Sequence, residues 1–249
     1  MKRPLVLTAI AGLLVFLGVL VLYLPASWFA SMLPAPLRCA ELGGSLWQGE
    51  CLGLDFQGAK LGDATWNLAP GSALTGRLAG DVDVRGGALS ARADLDLKLN
   101  GTGELRNVTA RFPLDPAFVP QFPRDQRGNI VADLKRVVLT AGPALAQLEG
   151  TIELHEFRQV GANPLVLGSY RLTFDGTTQA NGTSVGMLRD IGGPFAVEAT
   201  LTLTPPNGYL VQGFMTGRSA EAESLVREIT LGAPPDASGR SAFSFEGSY

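Results

Sequence analysis

The sequence predicts a mostly β protein: a single N-terminal transmembrane helix, then an antiparallel β-meander forming an open curved sheet, with one or two short helices. Three observations carry this. Residues 5–24 are an uncharged run, period-two alternation of apolar and polar residues takes over after Arg38, and turn-forming clusters recur every roughly 10 to 15 residues.

The uncharged run is 20 residues long, which as a helix is about 30 Å, the thickness of the hydrocarbon layer. Backbone polar groups in lipid must be bonded within their own segment, so a lone span of this composition is a helix. Lys2 and Arg3 precede it and no charge follows until Arg38. The positive-inside rule then puts the N-terminus in the cytoplasm and the remainder in the periplasm. The protein is thereby expected at the cell inner membrane, crossing it once. A cleaved secretory signal is the alternative, but its apolar stretch is usually about 7 to 15 residues, and Pro25-Ala26-Ser27 is a weak cleavage site. Tyr23 and Trp28 stand where an interfacial aromatic belt falls.

The expected organisation is a cytoplasmic start and transmembrane helix over 1–26, a juxtamembrane segment over 27–37 and a periplasmic β-rich domain over 38–249. In the juxtamembrane segment Trp28, Phe29, Met32 and Leu33 have helix-like spacing. It reads either as a short helix on the membrane surface or as a linker packing on the domain.

The two cysteines are Cys39 and Cys51. In an oxidising compartment a disulfide between them is expected. A hairpin centred at Ser45 sets the two opposite each other, with Gly43-Gly44 as turn chemistry. Two buried free thiols are the alternative.

Strands follow by alternation. Leu54 and Phe56 alternate with Asp55 and Gln57; Leu95, Leu97 and Leu99 with Asp94, Asp96 and Lys98; Leu172 and Phe174 with Arg171, Thr173 and Asp175. Phe195, Val197, Ala199, Leu201 and Leu203 do the same with Glu198, Thr200, Thr202 and Thr204. Each marks a strand with one face toward a core. Turn formers such as Arg85-Gly86-Gly87, Asn100-Gly101, Asn163-Pro164 and Pro205-Pro206-Asn207-Gly208 stand between the runs. That spacing leaves little room for crossover helices and predicts a meander of about ten to twelve strands. Pro113, Pro116, Pro120 and Pro123 crowd together, and proline is excluded from central strands, so a break between two halves is expected near 113–127. One soluble helix is expected from Ser219 as N-cap, Glu221 and Glu223 in the first turn, Leu225, Val226 and Ile229 on one face, and Gly232 as stop.

No enzyme chemistry is expected. The single histidine, His155, shares parity with Glu153 on an alternating run, so it is expected exposed on a strand, without the cleft partners a catalytic base needs. Gly182-Thr183-Ser184-Val185-Gly186 matches the G-x-S-x-G nucleophile turn, yet His155 precedes the serine, against the chain order of that hydrolase fold. Zinc-type clusters, a Walker loop and G-x-G-x-x-G are absent from the sequence, so neither metal nor cofactor is expected. Of 20 basic residues, setting aside Lys2 and Arg3 leaves 18 against 23 acidic. The exported part is thus acidic and a poor nucleic-acid binder.

Two blocks carry a resemblance. The first is Gly44-Ser45-Leu46-Trp47-Gln48-Gly49, then Trp66-Asn67-Leu68-Ala69-Pro70. The second is Leu167-Gly168-Ser169-Tyr170, Asp175-Gly176, Asp190-Ile191-Gly192-Gly193 entering a long strand, and Gly208-Tyr209-Leu210-Val211-Gln212-Gly213. In order and spacing they resemble the type II secretion system protein N family, with Gly44, Trp47, Gly49, Trp66, Pro70, Asp190, Gly192 and Gly193 as motif positions. Ser45 replaces the usual threonine, and Tyr170-Arg171-Leu172 lacks a tryptophan. The resemblance implies a non-catalytic, inner-membrane-anchored component of a type II protein secretion system, docking the secretin or other inner-membrane subunits, and brings no catalytic residues.

The first part is also similar to AsmA-like and TamB-like proteins, which implies lipid binding or transfer in an apolar β-groove as the alternative function. An outer-membrane barrel is a third reading, from the alternating Phe243-Ser244-Phe245-Glu246-Gly247-Ser248-Tyr249, opposed by an aromatic content of 8%. A docking component binds through unpaired strand edges; the proline-rich stretch 113–123 and the terminal strand 240–249 are the expected edges.

Overall fold

The computed structural model describes residues 12–13, 15–16, 18–28, 37–116, 123–140, 145–179, 182–230, 232 and 234–248. Strands β1 (Leu37–Gly44), β2 (Gln48–Phe56), β3 (Ala59–Leu68), β4 (Arg77–Gly86), β5 (Ser90–Lys98) and β6 (Gly103–Leu114) come first. They are followed by β7 (Gln126–Leu139), β8 (Leu145–Gln159), β9 (Leu165–Thr178), β10 (Ser184–Gly192), β11 (Phe195–Thr204), β12 (Gly208–Gly217) and β13 (Ser241–Ser248). A single helical turn, α1 (Pro70–Ala73), joins β3 to β4, and α2 (Ala220–Ile229) joins β12 to β13.

All 13 strands form one sheet in chain order, each antiparallel to the next. Thirteen strands exceed the expected ten to twelve. In the middle of the chain β7, β8 and β9 run 14, 15 and 14 residues and slip register at bulges. A bulge switches which residues face the core, so β8 shows no single alternation from end to end. The sheet is open: among the described residues no pairing joins β1 to β13, against a closed barrel.

The registers define two faces. One cross-strand row runs Leu42, Cys51, Ala64, Val84, Ala91, Ala110, Ala132, Ile152, Leu172, Leu188, Ala199, Gly213, Phe243 and crosses every strand without a charge. The row beside it, on the other face, runs Glu50, Thr65, Asp83, Arg92, Thr109, Asp133, Thr151, Thr173, Met187, Thr200, Gln212, Ser244 and is polar but for Met187. Burial follows the apolar face in three clusters, centred on Cys51, Ala64 and Val84, on Val137, Leu148 and Phe174, and on Phe195, Val197 and Ala199 under α2. Between them the face stays half-buried, at Leu95, Leu97, Ile130 and Leu154 for example. The chain exposes 15281 Å², against about 10,600 Å² for a compact protein of its mass.

Helix α2 forms as its sequence specifies: Ser219 accepts a hydrogen bond from the Ala222 N–H, and Glu221 and Glu223 occupy the first turn, favourable at the positive end of the helix dipole. Its buried residues are Ala222 and Val226, with Leu225 packed at the margin. Ile229, expected on the same face, is exposed.

Pro113 falls inside β6, opposite Asn129 of β7. Strand β5 begins at Ser90, opposite Arg111, so past Arg111 the strand has a neighbour on one side only and tolerates a residue without an N–H. The terminal strands of the sheet order are β1 and β13; of the edge expected at 113–123, Pro113 and Leu114 pair with β7 on one side. Residues 117–122 of the expected break lie outside the described residues.

Leu99, expected in strand alternation, stands beyond the end of β5 in the turn to β6. Among the described residues no helix is long and apolar enough to cross a membrane. The span expected over 5–24 lies in part outside them; helix is described at 12–13, 15–16 and 18–22. Of the juxtamembrane segment, residues 29–36 lie outside the described residues, and 27–28 belong to a 3₁₀ turn that starts at Ala26.

Candidate functional site

The motif residues of the first block gather where the N-terminal helical segment meets the sheet. A helix ends with four carbonyls lacking intrahelical donors. Here the Trp47 indole N–H donates to the Val21 carbonyl at 2.8 Å, and the Leu46 N–H donates to that of Leu24 at 2.8 Å. Pro25 forms a bridge with Ser45. The β1–β2 turn therefore acts as the cap of the helical segment.

Trp66 supports the turn from beneath, its indole N–H donating to the Leu46 carbonyl at 3.0 Å. The Leu68 N–H reaches the Trp47 carbonyl at 2.6 Å. Trp47 itself is buried. Gly44 takes φ 76° at the turn. At Gly49 a Cβ would stand 2.4 Å from the Trp66 ring and 2.8 Å from the Gly43 and Ser45 carbonyls, so a side chain there displaces the indole. Pro70 starts α1 at a position where its missing N–H is not needed. A groove of about 670 Å³ here is lined by Leu22, Tyr23, Trp47, Asn67, Pro70 and Asp81.

Cys39 and Cys51 lie in the same region, with their sulfurs 2.08 Å apart and Cα atoms 5.7 Å apart. The register differs from the expected one. Cys39 faces Leu54 and Cys51 faces Leu42, so the hairpin closes between Leu46 and Trp47 rather than at Ser45. The bridge is diagonal, with Gly53 between Leu54 and Cys51 at φ 66° and its N–H held by Asp63.

The second block builds a clasp at the other end of the sheet. Asp190, near the end of β10, accepts from the Val197 N–H at 2.9 Å and from the Arg218 guanidinium at 2.6 Å. Arg218 also donates to the carbonyls of Gly193 and Phe195, at 2.8 and 2.9 Å. One ion pair thus ties the β10–β11 hairpin to the junction of β12 and α2. Gly193, at φ 129°, lies against Gly168, whose Cα would be 2.4 Å from an added Cβ. Gly192, at φ 151°, has open space around it. Tyr170 donates its hydroxyl to the Leu167 carbonyl; burial, with the Asp190 charge nearby, pushes its pKa up to about 12.

The remaining candidates do not assemble. His155 is half-buried on the polar face, with its Nε2 2.7 Å from Glu153 Oε2. Arg171 holds the other Glu153 oxygen at 2.6 Å, and this pairing, then His155, lowers the carboxyl pKa. Ser184 begins β10 on the apolar face, buried and without a hydrogen-bond partner for its hydroxyl. It lies at the opposite end of the strands from His155, so no nucleophile and base meet. Among the described residues no cluster of His, Cys, Asp or Glu suits a metal ion. Sequence reading missed Arg218; its only signal is a lone charge between a strand end and a helix N-cap. It also missed the Trp47 bond to Val21, which spans 26 residues.

Fold and nodes together define a class: an open, two-faced β-meander whose motif residues fasten structural junctions. The chain belongs to the type II secretion system protein N family, whose model, described as "Type II secretion system (T2SS), protein N", matches residues 35–244. It is similar to the type II secretion system protein N of Vibrio cholerae serotype O1 (strain ATCC 39315 / El Tor Inaba N16961), 26% identical over 247 residues covering 91% of this chain and 92% of that one. No solved structure matches the chain.

Proposed function

We propose that this protein is a non-catalytic component of a type II secretion system, anchored in the inner membrane by the helix expected over 5–24, with its sheet in the periplasm docking the secretin or other inner-membrane subunits. The observation that carries the reading is the open sheet with two free edges. Among the described residues strand β13 pairs with β12 alone, leaving along Ser241–Ser248 the unpaired N–H and C=O groups that a partner strand needs. Family membership supports a place in the secretion apparatus. Photocrosslinkers at Ser244 and Glu246, in the full chain in cells, are expected to capture secretion subunits.

A second reading, lipid binding along the sheet, is favoured by the uncharged row that crosses all the strands and by the large half-buried apolar face. The crosslinking experiment separates the two. Protein adducts at β13 support docking, whereas stoichiometric phospholipid carried through purification with no protein partner overturns it in favour of the lipid reading.

A further inference from the structure

In an antiparallel meander every second turn lies at the same end of the sheet. The β1–β2, β3–β4 and β5–β6 connections therefore share one end, and that is the end where the β1–β2 turn caps the N-terminal helical segment. Among the described residues of the sheet domain, the most exposed large apolar side chains are Leu74, at 91%, and Leu99, at 78%. Both belong to this end: Leu74 follows α1 in the β3–β4 connection, and Leu99 sits in the β5–β6 turn. The two connections touch, the Leu99 N–H donating to the Gly76 carbonyl at 3.2 Å. The turns of the first six strands at the opposite end are Gln57-Gly58 and Gly87-Ala88-Leu89, and there Leu89 packs against the Cys51, Ala64 and Val84 cluster rather than standing exposed.

The helical segment brings its own apolar surface to the same place. Leu20 and Leu22 are about half exposed, and Tyr23 is 78% exposed. Leu22 and Tyr23 line one groove with Pro70 of α1, so the end of the helix and the β3–β4 connection are neighbours. A single exposed leucine is ordinary on a protein surface. Two at adjoining tips, continuous with an exposed apolar helix end and flanked by an aromatic ring and by Lys98, have the composition of a membrane-interface contact.

We propose that the β3–β4 and β5–β6 tips rest in the surface of the lipid bilayer, with Leu74 and Leu99 entering the boundary between headgroups and acyl chains. This rests on the anchored reading of the N-terminal helix. The contact makes the first half of the sheet stand on the membrane in a fixed attitude, rather than swing from its helix.

The test is collisional spin-label depth measurement on the full chain in vesicles of phosphatidylethanolamine and phosphatidylglycerol. Labels go at Leu74→Cys, Leu99→Cys, Leu20→Cys and, at the opposite end, Lys60→Cys, with the chain lacking added cysteines as background. These four side chains are exposed, so labelling leaves the core intact. Labels at 74 and 99 are expected to be several-fold less accessible to an aqueous nickel relaxer than the label at 60, and more accessible to oxygen. Equal nickel access at 74, 99 and 60 overturns the proposal, and if the label at 20 is then still lipid-exposed the anchor stands alone. Nickel access at 20 sinks the anchored reading itself. Protection at 74 and 99 from both relaxers, unchanged by removing lipid, identifies a protein contact and overturns the bilayer contact.

Discussion

At the scale of single residues, the junctions depend on a few hydrogen bonds that join segments distant in sequence. Trp47→Phe keeps most of the ring but removes the donor to Val21, and is expected to cost about 0.5–1.5 kcal/mol. Trp47→Ala, which also vacates a buried site, costs about 3–5 kcal/mol. The measurements are thermal unfolding and chymotrypsin cleavage next to Tyr23 and Trp28; unchanged melting and cleavage for both variants contradict the capping role. On the polar face Glu104 is held by Arg106, first, and by Arg136, and its pKa falls to about 2. A carboxylate with a depressed folded pKa contributes stability above its unfolded value, near 4.5, and loses it as pH falls toward the folded one. Wild type is therefore expected to exceed Glu104→Gln in stability at neutral pH, with the difference vanishing between about pH 4.5 and 2 in acid-unfolding curves. A constant difference across that range contradicts it. Neither arrangement was legible in sequence beyond its residue types. The Trp47 bond joins positions 26 apart and the Arg136 bond positions 32 apart, and no local period reports such distances.

At the scale of elements, legibility depended on whether a strand is regular. Strand β11, Phe195–Thr204, alternates throughout and matches its sequence pattern, and α2 has its cap, its acids and its buried stripe in the order the sequence implies. Strand β8 does not, because the register shifts between Leu154 and Phe157, where Glu156 takes φ 52°, and the parity of its apolar residues changes midway. The first hairpin shows the same limit. Its cysteines are symmetric about Ser45 in number, but the observed register centres elsewhere. The bridge closes a short loop, of sequence separation 12, for which loop-closure entropy gives about 3 kcal/mol. Reduction is expected to lower the melting temperature, and unreduced digests are expected to show the Cys39 and Cys51 peptides joined in mass spectrometry. Two freely alkylated thiols in the native protein are the contrary result.

At the scale of the whole molecule, the two faces were legible as a composition of short alternations, and the outcome is one uncharged row beside one polar row. What sequence did not convey is how little of that apolar face is covered, since burial depends on curvature and on which segments return over the sheet, and here α2 is the described helix that does so. The strict chain order of the sheet has a further bearing on biogenesis. Each strand bonds to the one just before it, so no strand waits for a partner still to be synthesised or translocated. A chain emerging N-terminus first from the ribosome can add each new strand to the edge already built, beginning at the hairpin that caps the helical segment. Contacts of short sequence separation keep the entropic cost of each addition small, and growth by nearest neighbours suits a protein that emerges one segment at a time.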